Sequence, residues 1–229
     1  MSLVKIVYDH QDFIVVDKPV GMPMHDSARG IVVSSENVLG EKDLHLCHRL
    51  DTGTSGCLIL AKSPTAAAQF EQLFSQRKIQ KYYLALTQLK PNKKQGTVIG
   101  DMKNRRRGQH ILVKSRENPA VTQFFSSSVE AGRRGAVVKP LTGKTHQIRV
   151  ALKSLGSPIL GDTFYGGIES DRMYLHAWQL HFSYRGESIR CICPPNEGKL
   201  FQSAPFKNWL AKQPPPTSLP WPPFNLPAS

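Results

Sequence analysis

Strand-like segments far outnumber helical ones along this chain, and that imbalance limits the folds open to it. Short runs of β-branched and aromatic residues, bounded by polar or turn residues, fall at 4–8, 13–17, 57–61, 81–87, 97–99, 110–113, 120–129, 136–141, 173–178, 181–184 and 188–192. Only two segments carry a helical period. In the first, Ser63 is a good N-cap and Pro64 suits the first turn. Ala67, Phe70, Leu73 and Phe74 then follow at steps of three and four, so a helix is predicted to run to about Lys78. In the second, 145–155, an apolar stripe of Ile148, Leu152 and Leu155 runs beside a polar one of His146, Arg149 and Lys153, and Gly156 and Pro158 close it. Residues 25–44 are mixed and polar with no clear period. Many strands with few helices predict an α+β fold with a mainly antiparallel sheet, not an alternating βαβ wind.

The length, 229 residues, is enough to bury a substantial core. One domain is expected over residues 1–212. Residues 213–229 hold seven of the seventeen prolines, and an extended, mobile C-terminal tail outside the core is expected there. The longest purely apolar run is 57–61, far short of the roughly 20 residues of a membrane span. With no signal segment in view, a cytoplasmic location is expected.

Thirty Lys and Arg against seventeen Asp and Glu leave a net charge of +13. A field of that sign favours polyanionic partners and salt-sensitive association, and it is equally compatible with a generic basic surface. Four cysteines are too few for a disulfide scaffold: Cys57 sits in an apolar run, and Cys191 and Cys193 form a lone C-x-C on one strand face. Several motifs fail. Thr142-Gly143-Lys144-Thr145 resembles the end of a phosphate-binding loop, but the second glycine that loop needs is replaced by Val138. Nucleotide-binding, zinc and serine-hydrolase signatures are not found, so no metal or cofactor is expected.

What remains is His48-Arg49-Leu50-Asp51-Thr52-Gly53-Thr54-Ser55-Gly56, a polar loop feeding a buried strand. A purely structural role accounts for it: Asp51 caps a turn and Arg49 is a solvated cation. On the residues alone that reading is preferred. The density of acid, base and hydrogen-bonding groups on a loop keeps a functional role open.

The same stretch, His48-Arg49-Leu50-Asp51-x-x-Thr54-Ser55-Gly56, resembles the signature of the RluA-type RNA pseudouridine synthases. Other segments resemble that family in the expected order. They are Lys18-Pro19-x-Gly21, Lys81-x-Tyr83-Leu84-Ala85, Leu141-x-Gly143-Lys144-Thr145-His146-Gln147-Ile148-Arg149, Gly156-x-Pro158-Ile159-Leu160-Gly161-Asp162-x-x-Tyr165 and Leu175-His176-Ala177. The match covers about residues 3–195. Lys144 departs from the commoner arginine, and the 191–195 stretch departs from a more usual phenylalanine-containing ending.

The resemblance implies a pseudouridine synthase fold, with flanking helices and loops around a central catalytic cleft. It implies an isomerase that breaks the N1–C1′ bond of a uridine in RNA, rotates the base and rejoins it through C5. Asp51 is then the catalytic carboxylate, which must be ionised, as a nearby cation favours. Arg149 resembles the arginine that pairs with it, and Tyr83 the tyrosine that stacks on the uracil. Arg49 would fill the space left by the flipped nucleotide, and Leu175 would pack against the base. His48 and Thr54 would line the substrate loop, chiefly shaping it. Lys144 and the loop cations Lys103, Arg105, Arg106 and Arg107, with Arg133 and Arg134, would meet phosphates; a solvated hairpin tip is the plain alternative for the loop cations.

RNA, ribosomal or transfer, is the expected partner of a monomer, with no DNA and no membrane. Two rivals stay open: a catalytically inactive RNA-binding protein of the same fold, and an RNA-directed hydrolase using Asp51 with His48 or His146. An isomerisation without net redox change needs no nicotinamide, metal or ATP.

Overall fold

The computed structural model describes residues 4–25 and 28–224. In chain order its first elements are β1 (Lys5–Asp9), β2 (Phe13–Lys18), α1 (Ile31–Leu39), β3 (His45–Leu46), β4 (Ser55–Ala61), α2 (Pro64–Ser75) and β5 (Gln80–Thr87). Then come β6 (Gln95–Asn104), β7 (His110–Val113), β8 (Ala120–Glu130), β9 (Arg133–Pro140) and α3 (Gln147–Ser154). β10 (Leu175–Tyr184), β11 (Glu187–Ile192) and α4 (Ala204–Ala211) complete the order. The predicted α+β class, a mixed and mostly antiparallel sheet with few helices, is what forms. Where one domain is expected over 1–212, the contacts divide the chain into two compact units: 1–81 with 176–197, and 82–175 with 198–229. None of the described helices is long and apolar enough to cross a membrane.

In the first unit β2 and β4 are buried along their whole lengths, their apolar runs 13–16 and 57–61 forming the core and Asp17, Lys18 and Ser55 buried at the ends beside them. They pair antiparallel from Phe13↔Ala61 to Lys18↔Gly56. β1 flanks β2 antiparallel, β3 pairs with the end of β4, and β10 forms an antiparallel hairpin with β11. β10 also meets β4 in a short parallel contact, His176↔Ser55 and Ala177↔Gly56. α2 closes over this sheet. The Phe70 ring stacks on Tyr184 at 5.1 Å and meets the edge of Phe13 at 5.0 Å, at the centre of the core. Cys57 and Cys193 lie in this core, with their sulfurs 2.8 Å apart.

The helix α2 begins as predicted, with Ser63 Oγ accepting from the Ala66 N–H at 3.2 Å. It stops at Ser75, short of Lys78, because Arg77 takes a left-handed conformation at φ 56° and ends the helical path. α1 forms where the sequence shows no period. Its buried residues are Ile31 and Ser35, so one face gives no apolar stripe to detect.

In the second unit five strands run antiparallel in the order β5, β9, β8, β6, β7. β6 is longer than the 97–99 expected, because its polar ends pair with β8 and β7. α4 goes unpredicted although Ser203 and Pro205 repeat the cap signal of α2; it is short and buries Phe206 and Trp209, and Trp209 Nε1 donates to Ser127 Oγ at 2.7 Å. The proline-rich segment is not clear of the core through residue 224. Trp221 packs on Phe125 and Tyr82, with ring centroids at 4.9 and 6.1 Å, and the Lys139 ammonium lies 5.6 Å from its ring. Gln123 Nε2 donates to the Pro222 carbonyl at 2.6 Å. Seven prolines make this stretch read as unanchored, and the one tryptophan among them supplies the anchor. Residues 225–229 lie outside the described part of the chain.

Candidate active site

The loop carrying Asp51 belongs to the first unit. Its backbone closes a tight turn, the Thr54 N–H donating to the Asp51 carbonyl at 2.9 Å. Below the turn lies Lys18, wholly buried at the end of β2. Its ammonium donates to the carbonyls of Thr54 at 2.8 Å, Pro19 at 3.1 Å and Thr52 at 3.2 Å. The Gly21 N–H adds a bond to the Thr52 carbonyl at 2.8 Å. A buried cation is tolerated only where polar groups surround it, and here two of the carbonyls that do so belong to the Asp51 loop. The Lys18-Pro19-x-Gly21 segment therefore braces that loop, a role that the sequence alone does not assign to it.

After the turn the chain enters β4 through Gly56, at φ 109°. A side chain there would place a Cβ 2.1 Å from the Ala177 carbonyl oxygen, so only glycine lets β10 approach. Beside it, Ser55 Oγ bonds Nδ1 of the buried His176 at 2.7 Å, and Nε2 of that ring bonds the Cys193 carbonyl at 2.7 Å. A carbonyl only accepts, so Nε2 carries a proton, and the ring links β4, β10 and the strand end after β11. Ser55 and His176 both lie in segments singled out in the sequence, but their bond to one another is not legible there.

Of the remaining loop residues, Arg49 is exposed and Asp51 half-buried, while Thr54 is buried. His48 turns into the fold. Its Nε2 accepts from the Ile59 N–H at 3.0 Å and its ring packs on Phe74 at 4.6 Å. Burial, and then the nearby Lys81 ammonium, hold its pKa down at about 3. Nε2 is thus an acceptor committed to β4, which fits the loop-shaping half of the expectation for His48 and leaves that nitrogen no part in proton transfer. Lys81 itself is pushed down to about 8 by burial.

Tyr83, Arg149, Lys144, Leu175 and the basic tip belong to the second unit. Tyr83 is buried in β5, opposite Val138 of β9. Leu175 is buried, its carbonyl accepting from Arg172 Nη2 at 3.1 Å. The third motif is fixed by Gln147, which saturates both ends of its amide. Oε1 accepts from the Thr142 hydroxyl at 2.6 Å and the Lys144 N–H at 3.0 Å. Nε2 donates to the Val121 carbonyl and Thr122 Oγ1, both at 3.0 Å. Lys144 Nζ reaches Asn118 Oδ1 at 2.7 Å on the surface.

Arg149 is not the exposed cation that a polar helix stripe suggests. It is buried, and its guanidinium forms a bidentate pair with Asp162, Nε to Oδ2 and Nη2 to Oδ1, each at 2.8 Å. The Tyr165 ring lies 4.8 Å from the guanidinium carbon and the Phe164 ring 5.6 Å. Asp162 sits in a turn that Gly161 makes possible at φ 80°, where a Cβ would fall 1.8 Å from the Arg172 carbonyl oxygen. Asp162 and Tyr165 both lie in a motif visible in the sequence, yet neither has a role that the sequence alone reveals.

Arg105, Arg106 and Arg107 are exposed on the β6–β7 tip, and Lys103 is exposed on the strand leading to it. A concavity of about 550 Å³ there is lined by Asn104, Arg105, Arg106 and Gln109. Arg133 and Arg134 are engaged locally instead: Arg133 pairs with Glu130, and Arg134 bonds the hydroxyl and carbonyl of Ser126 at 3.1 and 3.0 Å. That removes the reason to count this second pair among free phosphate contacts.

Comparison with known proteins identifies the family. The profile of the family described as RNA pseudouridylate synthase matches residues 12–154. An "Uncharacterized RNA pseudouridine synthase" of Haemophilus influenzae is 48% identical over 202 residues, covering 86% of this chain and 90% of that protein. The "Ribosomal large subunit pseudouridine synthase C" of Escherichia coli is 31% identical over 213 residues, covering 84% and 67%. The solved structure of "Human RNA Pseudouridylate Synthase Domain Containing 1" superposes with a TM-score of 0.73 at 27% identity, covering 85% of each chain. The chain belongs to the RNA pseudouridine synthase family, among its RluA-type members, and is an isomerase acting on RNA.

Proposed function

We propose that this protein isomerises a uridine of ribosomal RNA to pseudouridine, with Asp51 as the catalytic carboxylate. The observation that carries the reading is the bracing of the Asp51 turn by the buried Lys18 ammonium, which fixes a loop carboxylate in place before any substrate arrives. Ribosomal RNA is chosen because a relative 31% identical over 213 residues is named for the large ribosomal subunit. The protein acts as a cytoplasmic monomer on RNA and not on DNA.

In this reading the N1–C1′ bond of the target breaks, the uracil turns, and C5 bonds to C1′. The C5 proton leaves to solvent and N1 gains one, so atoms and electrons balance without a redox partner. Asp51 acts at the glycosidic bond. Arg149, its guanidinium fork held by Asp162, is the arginine of the third motif that serves the reaction, and a rigid fork fixes an anion's orientation better than an ammonium does. Tyr83 stacks on the uracil near C5. Leu175 supplies an apolar contact to the base, while Thr54 and His48 shape the loop. Arg49, exposed beside Asp51, takes the space vacated by the flipped nucleotide. Lys144, Arg105, Arg106 and Arg107 bind phosphates, Arg105 and Arg106 from the lining of the concavity at the hairpin tip and Arg107 from beside it.

The test is tritium release from [5-³H]uridine RNA, with ribosomal and transfer RNA from cells lacking this gene supplied separately. Wild type is expected to release tritium from ribosomal RNA. Asp51→Ala is expected to lose at least about 10³-fold in turnover, the scale on which removing a reacting group acts. Its RNA affinity should stay within about threefold, since most of that affinity resides in phosphate contacts elsewhere. Release from transfer RNA alone would move the target class. An Asp51→Ala protein with full activity would overturn the mechanism, and RNA binding without release from either pool would favour the inactive module.

A further inference from the structure

The basic tip and the Arg149–Asp162 pair are joined through one side chain. Tyr165 is buried, and its hydroxyl accepts from the His110 N–H at 3.0 Å. The same hydroxyl bonds His146 Nδ1 at 2.9 Å. His110 is the first residue of β7, directly after the arginine tip, and His146 is the N-cap of α3, three residues before Arg149. A second tie runs alongside: Gln109, which lines the concavity with Arg105 and Arg106, donates its amide to the Phe164 carbonyl. The Tyr165 N–H bonds the Asp162 carbonyl at 3.1 Å, and its ring lies against the Arg149 guanidinium. The Thr163–Tyr165 turn therefore touches the floor of the tip on one side and both members of the ion pair on the other.

We propose that Tyr165 is a positioning residue that couples RNA phosphate binding at the 105–109 tip to the orientation of Arg149. The proposal rests on the functional reading in which Arg149 serves the reaction. A backbone phosphate seated against Arg105, Arg106 and Gln109 steadies the tip. His110 and Gln109 transmit that order to the Tyr165 turn, and the turn holds the guanidinium and Asp162 at one angle. Binding energy gained away from the reacting base is thereby used to align a group at it.

Tyr165→Phe keeps the ring and removes the hydroxyl. Single-turnover tritium release at saturating RNA is expected to fall about tenfold, the kind of loss a small misplacement causes, while the RNA dissociation constant stays within about twofold. The tip variant Arg105→Ala/Arg106→Ala is expected to weaken binding and also to slow the saturated rate by about threefold; in the Tyr165→Phe background it should weaken binding alone, a non-additive cycle. Gln109→Ala, which cuts the second tie without touching the core, is expected to lower the saturated rate in the same direction and keeps the test available if Tyr165→Phe melts early. A Tyr165→Phe enzyme as fast as wild type, or strictly additive effects on the saturated rate, would overturn the coupling even with an active wild type. A wild type inactive on every RNA would sink the functional reading as well, and that result is seen before any variant is made.

Discussion

His48, in the signature loop, serves the fold, and its hydrogen bond gives the protein a pH-dependent stability. Its unprotonated Nε2 accepts from the Ile59 N–H, so a proton on that nitrogen would break the bond and place charge against the Lys81 ammonium. The folded-state pKa is about 3, below the ordinary value of 6.5. Between those values the unfolded chain takes up a proton that the folded chain refuses. Stability from this site is therefore intact at pH 7 and falls as pH drops below 6.5, towards 3. The slope cannot exceed about 1.4 kcal/mol per pH unit for one proton. Replacing His48 by Gln, whose Oε1 can accept the same N–H without titrating, is expected to flatten the fall in melting temperature between about pH 6.5 and 4.5. Parallel wild-type and variant curves over that window would show that other groups govern acid unfolding. His48 lies three positions before Asp51, and in the sequence a chemical role is open to it; only the Ile59 bond shows which job it performs.

At the level of elements, the site is built from contacts between segments far apart in the chain, and this decides how much of it is legible in the sequence. The Asp51 loop is legible because a polar, glycine-containing stretch entering an apolar strand is a local signal. Its brace is not, because Lys18 reaches carbonyls 34 and 36 residues on. Arg149 stands out by its place on a helix, but its partner Asp162 lies 13 residues later in a turn without a period. α1 escapes detection because one of its two buried positions is a serine, α4 because it is a short run of eight residues with a single Phe206 and Trp209 step, and in the tail the proline content masks the anchoring Trp221. Two substitutions test these links. Lys18→Met strands carbonyls that the ammonium now satisfies, each worth about 1–3 kcal/mol, while relieving the cost of a buried charge; a net loss of about 2–4 kcal/mol is expected in chemical denaturation. Turnover should fall further than stability at temperatures where the variant is folded, because the Asp51 turn loses its support. Trp221→Ala is expected to cost about 2 kcal/mol, part of the value for a fully buried tryptophan, as Trp221 is only half-buried. A neutral Trp221→Ala variant would return the segment to the status of a free tail.

For the molecule as a whole, the net charge of +13 becomes informative only when its distribution is known. Some of the basic groups are already committed: Lys18 to backbone carbonyls, Arg149 to Asp162, Arg133 to Glu130 and Arg134 to Ser126. Arg105, Arg106 and Arg107 are exposed at one hairpin tip, with Arg107 in a left-handed conformation at φ 61° that helps turn the tip. A polyanion that binds there releases about one counterion for each phosphate neutralised, so the logarithm of affinity falls linearly with the logarithm of salt concentration. Changing all three arginines to alanine removes up to three phosphate contacts, and the slope should shrink by about 2–3. The loss of affinity should accordingly be largest in dilute buffer and fade as salt rises. Affinity measured by filter binding across a salt series, for wild type and triple variant on the same RNA, separates this from general electrostatics. Removing three exposed charges elsewhere, such as Lys5, Lys207 and Lys212, lowers the net charge equally and should leave the slope near the wild-type value. Equal slopes for the two triple variants would mean that the field of the whole molecule, and not the tip, captures the RNA. A difference confined to the arginine variant would identify the tip as the place where phosphate contacts are made.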